Sequence, residues 1–351
     1  MKRKRTSPPP ASPRRDVGRD ALDHVFTNIG IDPEWSLRDP RAFTWWGSRF
    51  ATRVWAEPEV DDDGFLITRL RAETDLVRGA RTDAASDLYL AAIGRFASLS
   101  GVVRDAADPG TLRLHTSVFV HAETLEQYLR IFEPAVILQS ELAHRTAAVV
   151  AEGVGGEPAE SPHPASGFRG SPDEILALPQ VILRRDGESS VWAGSEMASL
   201  VEFFQRPPCL MASGDEEALT AEFPFLGESS LLTLATEVPN PTLGRGLLAL
   251  LRIPSGGSEE ERAGLAVRLN AREKMQYTRT HFAGSWCGDD RGATYVSFLP
   301  NLVYAPGLLT NLAAGLVVRA RWVAEKVFHD DWKRVPARSA LERLQLEERP
   351  S

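Results

Sequence analysis

The chain has 351 residues, of which 43% are hydrophobic and 25% charged, with a formal net charge of −8; this is the profile of a globular protein long enough for two domains. The longest uncharged apolar stretch, residues 296–318, is interrupted by Pro300, Asn301, Pro306 and Asn311, so no membrane span is expected. The basic start without an apolar run excludes a secretory signal, and Cys209 and Cys287 alone exclude a disulfide framework or a cysteine metal knuckle; cytoplasmic residence is the default expectation.

In chain order, residues 1–19 hold seven Lys and Arg against Asp16, which predicts a disordered basic tail on an acidic body. Nucleic-acid contact is expected, if anywhere, only through that tail. Residues 20–150 read as a first α+β unit. Phe43, Trp45, Trp46 and Trp55 cluster at its first strands, with more aromatic bulk than one small sheet face easily hides. Residues 50–79 form a strand, a turn and a second strand. The turn is Asp61-Asp62-Asp63-Gly64, where consecutive carboxylates lack the alternate spacing of a calcium loop and Asp-Gly signals a hairpin. A helix is expected over 83–96. Over 112–121, Leu112, Leu114, Val118 and Val120 alternate with Arg113, His115, Ser117 and His121, so one strand face is core and the other wet. Thr124 to Gln127 reads as a capping box opening a long helix that Pro134 kinks or restarts.

Residues 151–171, rich in Pro and Gly, read as an interdomain linker, and 172–330 as a second unit resembling the first. Ser171 to Glu174 is a capping box, and Ser195 opens a helix with Met197, Leu200, Val201 and Phe204 buried. Residues 219–246 repeat the hairpin of 50–79, with 246–261 as an added segment. A helix over 259–281 is followed by a strand over 294–301, where Pro300 marks an edge. Pro306 then supplies the first-turn proline of a closing helix with a Leu308, Leu309, Leu312, Leu316 and Val317 stripe. Residues 331–351 form a C-terminal tail. The class is α+β: two similar units, each helix, antiparallel strands, helix, two strands and helix, forming a pseudo-dimer.

Catalytic signatures are missing. There is no phosphate loop, no dinucleotide fingerprint after a strand, no nucleophile elbow and no H-E-x-x-H. His115 and His121 lie six residues apart on one strand, about 20 Å at the usual rise, so they cannot share a metal and are expected at the surface. His144 lies near Glu141 but has no nucleophile to serve. Cys287, beside Asp289 and Asp290, is expected to have a raised thiol pKa. No cofactor and no metal are expected.

The order of elements in each half resembles the type III secretion chaperone-like fold, including the YbjN-like proteins of bacteria, over residues 20–150 and 172–330. That resemblance implies a small acidic unit that pairs with a second copy and holds extended polypeptide segments on apolar patches. A tandem copy then looks like a fused pseudo-dimer, with 112–121, 294–301, 83–96 and 259–281 as its pairing surface. The long linker and basic tail depart from the group.

These readings point to a non-enzymatic, chaperone-like or adaptor module whose partner is a protein or peptide segment. Its form is a monomer with an internal pseudo-dimer, or a homodimer. The partner-binding candidates are Trp45, Trp46, Trp55, Phe119, Asn301, Tyr304, Arg319 and Trp322; Asn301 and Arg319, with Asn311 and Arg321, also suit stitching the halves together or lining a groove. The rival class is an enzyme with a site between the halves, built from His281, Glu273, Asn270 and Arg319.

Overall fold

A computed structural model describes residues 16–62, 64–177, 192, 194–206, 209–275 and 280–329. The C-terminal tail and residues 1–15 of the basic tail lie outside the described residues. The remainder of that tail, 16–19, is ordered as the start of helix α1 (Val17–Ile29). Asp16 caps α1 by accepting the Arg19 N–H, Gly30 at φ 70° closes it, and Ala21, Leu22, Val25 and Ile29 are its buried stripe.

Antiparallel strands β1 (Ser36–Asp39), β2 (Ala42–Trp45), β3 (Thr52–Ala56), β4 (Val60–Asp62) and β5 (Phe65–Arg78) follow. The β4–β5 hairpin turns at Gly64, whose φ of 90° suits glycine and whose N–H donates to Asp61 Oδ1, as the Asp-Gly signal implied. Helix α2 (Ala84–Gly94) is capped by Asp83. It leads to β6 (Gly101–Arg104), β7 (Leu112–Val120), α3 (Leu125–Val154) and β8 (Glu157–Pro158). Pro134 sits inside α3 without ending it, because Ile131, Phe132, Ala135 and Val136 on either side are wholly buried and hold that turn in place. The capping box at Thr124 does not form: its hydroxyl accepts the His121 N–H instead.

The second unit runs α4 (Gly194–Phe204), β9 (Met211–Gly214), β10 (Ala218–Phe225), β11 (Glu228–Asn240), β12 (Gly244–Pro254), α5 (Glu259–Met275), β13 (Ser285–Gly288), β14 (Gly292–Pro300) and α6 (Leu308–Trp322). The main path of the first sheet is β1-β2-β3-β5-β7-β6, and that of the second is β9-β10-β11-β12-β14-β13. The two orders correspond strand for strand, so the fold is α+β with a duplicated unit. The correspondence corrects the expected alignment. Residues 50–79 are β3 and β5, whose counterparts are β11 and β12, not the β10–β11 hairpin of 219–246. The supposed extra segment after Gly246 is largely β12 itself, which is central to its sheet.

Other expectations shift by a few residues for local reasons. Pro300 is not on an edge strand. It is the last residue of β14, past the stretch that β13 pairs, so its missing N–H breaks no bond to β13. Pro306 precedes Gly307, the N-cap of α6, and so lies outside the first turn. Helix α5 is described over Glu259–Met275, residues 276–279 lie outside the described residues, and His281 is not helical. Residues 151–171 do not hang free: 151–154 finish α3, β8 pairs with β5, Ala159 N–H donates to Leu76 O, and Ser161 N–H to Arg49 O.

The two units meet reciprocally. Helix α2 packs on β13, α5 packs on β6, and the two helices pack on each other. Segment 280–282 lies along β7 through a bridge between Ser117 and Phe282. The helices and β7 therefore lie on the pairing surface, and the 294–301 strand reaches it where the Ser98 hydroxyl donates to the Phe298 carbonyl at 2.7 Å. This cover also explains why β7 has no wet face: every residue except Arg113 is buried, including His115 at 0% exposure. Gly101 faces the seam so closely that a Cβ there would lie 2.3 Å from the Gly284 carbonyl. No described helix is long and apolar enough to cross a membrane.

Gly101→Ala is therefore expected to force the seam apart at β6 and to lower the unfolding free energy by about 1–3 kcal/mol. Denaturant titration of the variant against the wild-type chain measures the loss.

Candidate functional site

The chemistry-bearing side chains gather along the seam in two neighbouring clusters. In the first, β5 and β7 supply Glu73, Arg71, Arg113 and His115, and α5 supplies Lys274. The Lys274 ammonium reaches Glu73 Oε1 at 3.1 Å and Asp105 Oδ2 at 3.6 Å, with about 5% of its side chain exposed. Arg71 and Arg113 close on the same carboxylates, and His115 Nδ1 lies 3.2 Å from Glu73 Oε1. Burial alone raises the pKa of Glu73, but the His115 ring, Lys274 and Arg71 outweigh it and hold the carboxyl at about 2. Burial drives the His115 imidazole down to about 3 against the pull of that carboxylate.

The second cluster centres on Glu273, which is 1% exposed and fully engaged. Arg319 Nε donates to its Oε1 at 2.7 Å, Thr280 Oγ1 to the same oxygen at 3.2 Å, and Trp286 Nε1 to Oε2 at 2.8 Å. Arg319 also donates to the His281 carbonyl at 2.7 Å and stacks 3.8 Å from the Tyr295 ring centre. From the first unit, Phe119 N–H donates to His281 Nδ1 at 3.0 Å, and Tyr128 lies 4.0 Å from the imidazole, centre to centre. Burial, with Arg319 adding to it, pushes the His281 pKa down to about 3. Arg69, held at about 10 by burial and by Arg71, donates to Ser117 Oγ. Asn270 stands apart, with its amide bonding Ser285 and the Trp286 backbone.

The structure thus brings together three of the four residues of the enzyme rival, His281, Glu273 and Arg319. It does not leave them room. The adjoining cavity, bounded by His281, Tyr295, Ser297 and Arg319, is about 20 Å³, the space of a single water. The Glu273 carboxylate accepts from an arginine, an indole and a hydroxyl at once. No group of described residues could hold a metal ion. Cys287 is buried and bonded to the Thr294 carbonyl. Its thiol is pushed up to about 12, first by burial and only then by Asp289.

Most of the sequence-predicted partner residues turn inward. Trp45 is 0% exposed and Trp46 5%, so neither presents a surface. The Trp46 indole donates to Ser161 O and meets His163 edge-on. Trp55 is half-buried between the guanidiniums of Arg53 and Arg71. Phe119 is buried at the seam, and Trp322 is buried on α6. Asn301 bonds Glu237, and Tyr304 accepts from Arg130 of α3 through its carbonyl. Arg319 stitches the second unit internally and reaches the seam through His281.

The exposed apolar surface is elsewhere, and the sequence reading missed it. Between α2 and α3 the first unit carries a groove of about 330 Å³. Its floor is Leu76, Leu114 and Val102, and its walls include Tyr89, Ile93, Phe96, Leu142 and Val149. Phe96 is 84% exposed and Val149 62%. The available signal was apolar excess: Leu142 and Val149 fall off the buried stripe of α3, which one-sided packing does not require. Comparison of the chain with protein-family models, with curated proteins and with solved structures finds no match in any of the three.

Two outcomes follow from the seam. Glu273→Ala leaves Arg319 buried without its counter-ion and is expected to destabilise the chain by about 3–5 kcal/mol, whereas the double variant Glu273→Leu with Arg319→Leu recovers a large part of that loss. Equilibrium unfolding of both variants checks this. His115 and His281 are neutral when folded but take protons below about pH 6.5 when unfolded, so each removes stability from pH 6.5 down to about 3, at most ~1.4 kcal/mol per pH unit. Glu73, lowered from 4.5 to about 2, adds a further loss below pH 4.5. Unfolding titrations across this range are expected to show the decline, and His115→Leu to flatten its upper part.

Proposed function

We propose that the protein is a non-enzymatic, two-unit binding module that holds a segment of another polypeptide in the α2–α3 groove of its first unit. The carrying observation is the contrast between two places. The ions of the Glu273 cluster satisfy one another, and the cavity beside them is only about 20 Å³. The groove is open, and its rim residue Phe96 is left in water. An exposed apolar patch around a concavity is the usual mark of a docking surface.

The duplicated order of elements supports this reading, because the type III secretion chaperone-like and YbjN-like group that it resembles uses paired units to hold polypeptide on apolar patches. The enzyme alternative draws support from the His281, Glu273 and Arg319 cluster, and the absence of space beside it counts against that alternative.

Replacing Phe96 and Val149 together by Asp changes two exposed positions and leaves the core intact. The purified variant is expected to keep its thermal midpoint within about 2 °C, since surface substitutions of this kind shift stability by roughly 0.5 kcal/mol. It is also expected to lose the cellular protein that the wild-type chain retains through mild purification. Equal retention by both chains refutes the groove as the binding site.

A further inference from the structure

The described chain ends one residue beyond Phe328, and Phe328 walls an open trough on the second unit. After α6 the backbone makes one turn of π-helix, Val323–Val327, and the Phe328 ring meets Phe225 edge-on with centroids 5.9 Å apart. His329 follows at φ 55°, the left-handed conformation that turns a chain off its helix axis. The trough consists of two adjoining cavities of about 740 and 200 Å³ that share Leu265, Arg268 and Phe328. One side of α5 forms its length, since Leu265, Arg268, Leu269 and Arg272 recur at i, i+3, i+4 and i+7. The larger cavity continues to Leu226 and Pro254, and the smaller ends at Arg272 and Val327.

The walls specify an occupant that is acidic and apolar together. Arg268 and Arg272 are exposed, stand one turn apart and repel each other. Neither forms an ion pair with a carboxylate among the described residues. Glu228 and Glu261 belong to the larger cavity, where Glu261 is engaged by the Ser258 N–H, and no described carboxylate lines the smaller one. Leu226 stands in the β10–β11 turn at φ 51°, a conformation that favours Gly, Asn or Asp. An aliphatic side chain is retained there against that preference, half-buried on the trough wall.

The next residues of the chain carry the matching chemistry: Asp330, Asp331 and Trp332 follow His329 directly. Three residues reach about 10 Å when extended, while Arg268 and Arg272 are about 6 Å apart along the axis of α5. No linker is needed, and a segment tethered this closely acts at roughly millimolar effective concentration, so weak contacts suffice to hold it.

We propose that residues 330–332 of this chain occupy the trough, with the two aspartates facing Arg268 and Arg272 and the Trp332 indole against Leu226, Leu265 and Phe328. The trough is then a site for an acidic pair followed by an aromatic ring, filled in cis. It lies on the second unit, apart from the α2–α3 groove, and stands whether or not that groove binds polypeptide.

Chymotrypsin cleavage after Trp332 in the full chain, read by mass from the released C-terminal fragment, tests this. The reference is a synthetic peptide of residues 326–340, and each variant changed within that range is compared with its own peptide. Cleavage in the full chain is expected to be at least about tenfold slower than in the peptide, since the protease samples only the undocked fraction, and to accelerate with added salt. The double variant Arg268→Glu with Arg272→Glu is expected to lose most of that protection. Leu226→Asp, which suits the turn, is expected to lose a large part of it. Adding Asp330→Arg and Asp331→Arg to the Arg268→Glu, Arg272→Glu chain is expected to restore it. Circular dichroism melts confirm that each variant remains folded. If the wild-type chain is cleaved as fast as the peptide, or both trough variants keep full protection, the proposal is overturned. Protection that fades on dilution assigns the segment to the trough of a second copy and overturns docking in cis.

Discussion

A lysine from one unit buried against carboxylates of the other is the constraint on which the rest of the structure depends. Lys274 reaches Glu73 and Asp105 across the seam with almost no solvent around it. Such pairs add little net stability, because desolvating the ions offsets their attraction. They are strict about geometry. A seam shifted by one residue would leave Lys274 buried without its carboxylates, so the network fixes how the units meet while apolar packing supplies the driving force. The second cluster repeats the logic within the second unit and extends it across the seam, with Arg319 gripping Glu273 and the His281 carbonyl, and His281 accepting from Phe119.

The seam also explains what the chain can and cannot do with its ionisable groups. Lone histidines held neutral by burial and a carboxylate already saturated with donors are parts of a joint. The lowered pKa of His115 and of His281 follows first from burial at that joint. The first unit has exposed apolar surface between α2 and α3, directly behind Gly101, which lets β6 approach the second unit.

Local patterns made much of the fold legible. The Asp-Gly turn, the helix over 83–96, the strand over 112–121 and the stripe of α6 each have a cause within a few residues, and each element formed. The duplication was legible as an order of elements, but its register was not: hairpins of similar length in β3–β5 and β10–β11 looked equivalent until sheet order showed β11–β12 to be the counterpart. What failed depended on the other unit. The polar side of β7 reads as wet because alternation reports a half-buried strand, and nothing local says that α5 and residues 280–282 cover it. The aromatic cluster at Trp45 and Trp46 read as surplus bulk for the same reason: residues 157–173, which look like a linker, close over it. The groove went unread because Phe96, Leu142 and Val149 come together only when α2 and α3 pack side by side.

Native-state hydrogen exchange of the full chain under increasing denaturant addresses the joint most directly. The amides of Ser117, Phe119 and Phe282 lie at the seam, bonded across it, while those of Val54 and Leu234 lie deep in the two sheets. If the buried network binds the units into one cooperative structure, seam and sheet amides exchange through the same global unfolding, with the same free energy and the same denaturant dependence. Seam amides that exchange through a separate low-energy opening, while both sheets stay protected, would contradict the account.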